Sequence, residues 1–195
     1  SFDGVDDYVD VGNDILLSNT SFSIESWAKN NTSLGTESKM IVCVGNQQQD
    51  NQALLFGYGN NELFLAGFWN DGLWYNITTP LDAWVHWAMT YDAETNTRTL
   101  YENGQLVEQD IASSDFLGSG DTYIGSNFWS LDYFGGQIDE IRIWNSARSS
   151  SDIESNMYIE LDGEEEGLVG YWKFNAGSGT TLTDQTSNGN DGTIY

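Results

Sequence analysis

The chain has 195 residues, with 30 Asp and Glu against 6 Lys and Arg, for a formal net charge of −24. That charge excludes nucleic acid, whose binding needs cations to displace counterions, and it disfavours anionic membranes and polyanionic polymers. The one cysteine, Cys43, excludes an intrachain disulfide, and no apolar run is long enough to span a bilayer.

The length suits a single sandwich-type domain over 1–195. The 8 Trp, 10 Tyr and 9 Phe are ample for a core, with a surplus for a binding surface. The acidic surface fits soluble life in salty water, as in a marine or halophilic bacterium, where self-repulsion is screened. Ser1 stands in the middle of a motif, so the chain reads as a piece excised from a larger protein with neighbouring domains.

In chain order, strand-like segments cover 8–11, 21–29, 39–45, 53–58, 62–68, 73–78, 84–91, 97–102, 105–110, 122–126, 136–144 and 168–174. Asn103-Gly104 is the strongest turn signal, a two-residue hairpin loop with both residues at positive φ. Asn60-Asn61 and Asp71-Gly72 are weaker signals of the same kind. Cys43 lies in the apolar run Met40–Val44 and reads as a buried, inert thiol. His86 alternates with Trp84 and Ala88 on one strand face and reads as a packed, hydrogen-bonded histidine.

One short helix is expected near 150–161. Ser149 to Asp152 supply N-cap oxygens, and Ile153, Met157 and Leu161 recur at spacings of four. It should stop near Asp162-Gly163, where glycine takes the left-handed conformation. The tail 175–195 has linker composition, but Asp184, Asn188, Asn190 and Asp191 can hold a loop through side-chain-to-backbone bonds. Many short strands with Gly, Asn and Asp turns predict an all-β antiparallel sandwich.

Asp139 stands out. Strict alternation along 136–144 puts it on the face of Ile141 and Ile143, where a carboxylate is costly unless a cation or hydrogen bonds meet it. A hard divalent ion such as Ca²⁺ answers that need, the other reading being a carboxylate that caps a turn.

The segments Phe2-Asp3-Gly4 with Asp7-Tyr8-Val9, Phe22–Trp27, Trp84–Ala88, Leu100–Gly104, Gly136–Trp144 and Gly167–Phe174 together resemble the LamG-like jellyroll domains of the concanavalin A-like lectin/glucanase superfamily. The resemblance implies two antiparallel sheets packed face to face, one of them concave. It also implies a non-catalytic module of a secreted or cell-surface protein, with a role in carbohydrate binding or adhesion. It implies a structural Ca²⁺ held by Asp139 with Asp3 or the Gly4 carbonyl; Asp6, Asp7 and Asp10 are further carboxylates near the first strand.

Flat aromatics stack on sugar rings while amides and carboxylates fix hydroxyls. Trp69, Asn70, Asp71 and Trp74 in one region, and Asn127, Trp129, Asp132 and Tyr133 in another, are therefore the candidate glycan contacts. Neutral glycans should suit the acidic chain better than polyanions. Trp27, Trp84, Trp87, Trp144 and Trp172 fall at strand positions of the family pattern and are expected mostly in the core. No pair of acids has the alternating spacing of a glycosidase site; Asp139 and Glu140 are expected on opposite faces. The alternative to sugar binding is a structural or protein-interaction spacer.

Overall fold

A computed structural model describes residues 1–32, 37–45, 48–60, 63–129 and 132–195. In chain order the strands are β1 (Phe2–Asp3), β2 (Val9–Gly12), β3 (Phe22–Asn30), β4 (Lys39–Val44), β5 (Leu54–Tyr58), β6 (Leu63–Phe68), β7 (Asp71–Asn76), β8 (Val85–Asp92), β9 (Thr97–Glu102), β10 (Gln105–Ile111), β11 (Thr122–Ile124) and β12 (Gly135–Trp144). Helix α1 (Ser150–Asn156) follows, then β13 (Leu168–Trp172), β14 (Thr181–Leu182) and β15 (Gly192–Ile194). Among the described residues these strands form a 7-stranded sheet in the order β1-β12-β3-β8-β9-β10, with β13 also on β12, and an 8-stranded sheet in the order β14-β15-β2-β11-β4-β5-β6-β7. Every pairing is antiparallel, and the two sheets make the expected jelly-roll sandwich.

Alternation explains the layers. Ile24, Trp87, Met89 and Ile143 from one sheet meet Val42, Phe56, Phe64 and Phe68 from the other in a single apolar cluster. Trp87 stacks on Phe64 with ring centres 4.0 Å apart, and its indole N–H donates to Tyr58 Oη at 3.1 Å. Each large side chain so buried contributes on the order of 1.5–3 kcal/mol. Trp144, Leu161, Leu168 and Tyr171 cluster on the outer side of the 7-stranded sheet, as do Ala88, Tyr101 and Ile153 from α1. Chain 150–161 thus lies over that outer face.

The hairpin at Asn103-Gly104 forms with φ of 50° and 77°. The turn expected at Asp71-Gly72 lies two residues earlier: Phe68 pairs with Asp71, so Trp69 and Asn70 make the loop, with Asn70 at φ 60°. Of the turn expected at Asn60-Asn61, Asn61 lies outside the described residues, as does Glu62 at the start of the expected strand.

The helix begins as expected, with Ser149 and Asp152 closing a capping box, but it stops at Asn156. Side chains take the next carbonyls. Arg142 donates to the Asn156 and Ile159 oxygens at 3.0 and 2.6 Å, and the Trp27 indole donates to Met157 O at 2.8 Å. Met157 and Leu161 are still buried, on an irregular strap.

The tail is not a linker. β15 pairs with β2, and Asn190 donates to Val169 O at 2.7 Å. Trp27 is only partly buried, and Trp84, expected in the core, is 42% exposed. It precedes β8 at the sheet's end, where the next residue, Val85, turns inward.

Candidate functional site

With one outer face strapped over, the outer face of the 8-stranded sheet is a broad surface left open among the described residues. Met40, Cys43, Ala53, Leu55 and Leu65 form its floor, partly covered by Trp69, Tyr123, Phe128 and Trp129. β4 is therefore buried on both sides, which accounts for its unbroken apolar run. Cys43 is fully buried there, and burial pushes its thiol up to about 12, as an inert core thiol should be.

A groove of about 520 Å³ opens on this face, within the size range of small-ligand sites. It is lined by Trp69, Asn70, Asp71, Trp74 and Trp129, so five of the candidate glycan contacts converge. Trp69 comes from the β6–β7 loop and Trp129 from the β11–β12 connection. Their rings meet edge to face at 4.9 Å and 79°. Trp74 stands farther along β7 and is 43% exposed.

Trp74 has a built seat. A Cβ placed on Gly59 would fall 2.6 Å from its six-membered ring, and one on Gly72 would fall 2.9 Å from its indole nitrogen. The ring thus lies along the sheet over two residues without side chains, leaving its other face open. Neither glycine was a sequence candidate; the usable signal was Gly72 two residues before Trp74, on the same strand face.

Asp71 serves the fold. Arg98 donates to its Oδ1 at 2.9 Å, and Ser113 donates to its Oδ2 through N–H and Oγ at 2.8 and 2.9 Å. Burial alone would raise its carboxyl, but the Ser113 hydrogen bonds and the Arg98 charge outweigh burial and hold it below the ordinary value. With that carboxylate occupied, the described lining offers a ligand aromatic faces and neutral polar groups. Asn70 is exposed at the rim, its amide nitrogen donating to Asp50 at 2.8 Å.

The other candidates fall elsewhere. Asn127 is 2% exposed and accepts from Trp129 N–H at 3.1 Å, so it shapes the turn that carries Trp129. Tyr133 belongs to a different aromatic group, 6.0 Å from Tyr8, which stacks on Tyr195 at 4.8 Å. Asp132 is half-buried and is not among the groove's lining residues. Ser130 and Leu131 lie outside the described residues.

The strand face expected for Asp139 is corrected. Ile138 fills the core, as do Ile141 and Ile143, because a bulge breaks the register between Asp139 and Arg142 and Glu140 takes φ 52°. Asp139 turns outward beside Trp27, its register partner. Partial burial raises its carboxyl, opposed by a hydrogen bond from Glu140 N–H and reinforced by the charges of Glu140 and Glu160.

The first strand does run beside the start of β12, with Asp3 opposite Gly135. Asp139 is four residues farther on, about 13 Å along the strand, too far for both carboxylates to reach one ion at about 2.3–2.6 Å. Among the described residues, Asp3, Asp6 and Asp7 form a group that could hold a metal, each with a carboxylate oxygen within 4.8 Å of the others. Asp3 Oδ1 accepts from Val5 N–H at 2.8 Å, and Asp7 Oδ2 accepts from Asp3 N–H at 2.8 Å, closing the loop around Gly4. Three hard oxygen donors fit Ca²⁺ by chemistry.

Glu140 accepts from Arg142 at 2.9 Å and Tyr171 Oη–H at 2.6 Å. His86 is 1% exposed and packed as expected, with Nε2 3.4 Å from Glu25 Oε2, but its Nδ1 has no hydrogen-bond partner among the described residues.

A jelly-roll sandwich carrying an aromatic groove on one outer face defines a lectin-like class of fold. Residues 3–154 match the family model described as the concanavalin A-like lectin/glucanases superfamily, and the chain belongs to that superfamily. No curated protein sequence matches it. A Bacteroides ovatus protein named for a proposed role in carbohydrate binding superposes with a TM-score of 0.75 at 24% identity, over 99% of this chain and 57% of that one. The present chain thus spans little more than half of that neighbour. Domain 4 of AbnA, an extracellular GH43 arabinanase of Geobacillus stearothermophilus solved with arabinotriose, gives 0.56 at 22% identity over 75% of this chain and 68% of that one. The CBM40 of a Ruminococcus gnavus IT-sialidase, bound to α2,3-sialyllactose, gives 0.59 at 18% identity over 70% and 82%.

Proposed function

We propose that this chain is a non-catalytic carbohydrate-binding module of a secreted or cell-surface protein, serving attachment or substrate targeting. The observation that carries the reading is Trp74, laid over Gly59 and Gly72 with one face open in the groove. A sugar ring stacks on that face, Trp69 and Trp129 wall it in, and Asn70 meets hydroxyls at the rim. The fold neighbours that bind arabinotriose and sialyllactose support a glycan as ligand. No Lys or Arg is among the groove's described lining, and the chain carries −24, so neutral glycans are the preferred class.

Isothermal calorimetry with arabinotriose, cellotriose and α2,3-sialyllactose tests this. Heat is expected from a neutral oligosaccharide, and Trp74→Ala should weaken that binding about 10- to 100-fold, or about 1.4–2.8 kcal/mol. Tighter binding of sialyllactose would overturn the neutral preference. No heat from any sugar would leave the spacer alternative.

The module is further proposed to carry a stabilising Ca²⁺ on Asp3, Asp6 and Asp7. An ion that binds only the folded state stabilises by mass action, about 2.7 kcal/mol at a hundred times Kd, or about 5–11 °C in Tm for a chain this long. Scanning calorimetry with calcium and with chelator should show that shift. Asp3→Asn should abolish it and Asp139→Asn should keep it; the reverse pattern would move the ion to Asp139.

A further inference from the structure

We propose that Arg98, a residue of the 7-stranded sheet that does not line the groove, is the positioning residue of the ligand site on the other sheet. Arg98 stands on β9 opposite Asp110 of β10 and is 1% exposed. Its guanidinium leaves its own sheet and grips the first residue of β7. Nη2 donates to Asp71 Oδ1 at 2.9 Å and Nη1 donates to the Asp71 carbonyl. Asp110 holds the fork from behind, accepting from Nε at 2.9 Å and from Nη2 at 2.7 Å. The guanidinium carbon lies 5.2 Å from the centre of the Phe68 ring.

The residues so gripped bracket the groove loop. Phe68 precedes Trp69, and Asp71 follows Asn70. On the β5 side the loop is already tied, with Trp69 N–H donating to Ala53 O at 2.8 Å and Asn51 N–H donating to Trp69 O at 3.0 Å. Arg98 supplies the tie on the β7 side. With both ends fixed, the Trp69 ring is presented edge to face against Trp129. A planar fork serving a carbonyl and two carboxylates at once is a task for arginine; lysine keeps the charge and loses the geometry. The ligand consequence rests on the sugar-binding reading, but the geometric one does not.

The test is circular dichroism of the Trp69–Trp129 pair. Two indoles this close couple as excitons, and the difference between wild type and Trp69→Phe isolates their signal. In folded Arg98→Lys that couplet should fall by at least half. A mere staple between the sheets would lower Tm and leave the couplet intact in the folded protein, and that result overturns the proposal. Should Arg98→Lys not fold, Asp110→Asn frees the fork from its exposed end; an intact couplet there overturns the proposal equally. If wild type binds arabinotriose, folded Arg98→Lys should bind it at least tenfold more weakly, and unchanged affinity also overturns the proposal. If arabinotriose gives no heat with wild type, the sugar reading suffers and the couplet alone decides.

Discussion

Arg142→Met should destabilise the protein by about 3–5 kcal/mol, the range for removing one partner of a buried ion pair. Arg142 is 1% exposed on β12 and faces away from the core. Its guanidinium meets Glu140 Oε2 at 2.9 Å, donates to the carbonyls of Asn156 and Ile159, and lies over Tyr171 at 5.6 Å. Methionine fills similar space but leaves the Glu140 charge with only the Tyr171 hydroxyl, the Ile159 carbonyl without its Arg142 donor and the Asn156 carbonyl with only the Ile159 N–H. For a chain this long the loss is about 6–20 °C in Tm. Urea unfolding measures it directly. A cost below about 1 kcal/mol would mean that the strap over the 7-stranded sheet is held by Ile153, Met157 and Leu161 alone.

Asp184→Ala should be nearly as damaging, about 3–4 kcal/mol, because one buried carboxylate organises the whole tail. Asp184 is 6% exposed. Its Oδ1 accepts from the N–H groups of Tyr171 and Thr186, both at 3.0 Å. Its Oδ2 accepts from Thr186 Oγ1 at 2.8 Å and Asn190 N–H at 2.9 Å. Alanine strands those donors and frees the turn that leads into β15. Asp184→Asn keeps one acceptor oxygen and turns an amide nitrogen toward Asn190 N–H, so it should cost about half as much. Equal stability of the Ala and Asn variants would show that shape, and not hydrogen bonding, matters at this position. Hydrogen exchange at 184–194 should quicken in both.

The glycan candidates divide along a physical line. Trp69, Trp74 and Trp129 could be nominated from residue type, since large aromatics in polar surroundings exceed the needs of the core. Asp71 and Asn127 have the same chemistry on paper, yet Arg98 and Ser113 occupy the first and the turn before Trp129 uses the second. A polar atom already claimed by an internal partner is not open to ligand, and for Asp71 those partners lie far away in sequence. Ser113 is 42 residues from Asp71.

What the sequence determined by itself is whatever has a local cause. Period-two alternation set the two layers, Asn103-Gly104 set a hairpin, Ser149 with Asp152 set the helix start, and the Asp and Asn of the tail set its loop. The tertiary structure decided whatever depends on a distant partner. The bulge at Glu140 put Ile141 and Ile143 on the face opposite Asp139, because one extra residue reverses every side chain beyond it. Arg142 and Trp27 ended the helix by taking its carbonyls, and the end of β8 left Trp84 in solvent. The seat of Trp74 depends on Gly59, just past β5, lying beneath a tryptophan of β7, a juxtaposition that no local pattern encodes.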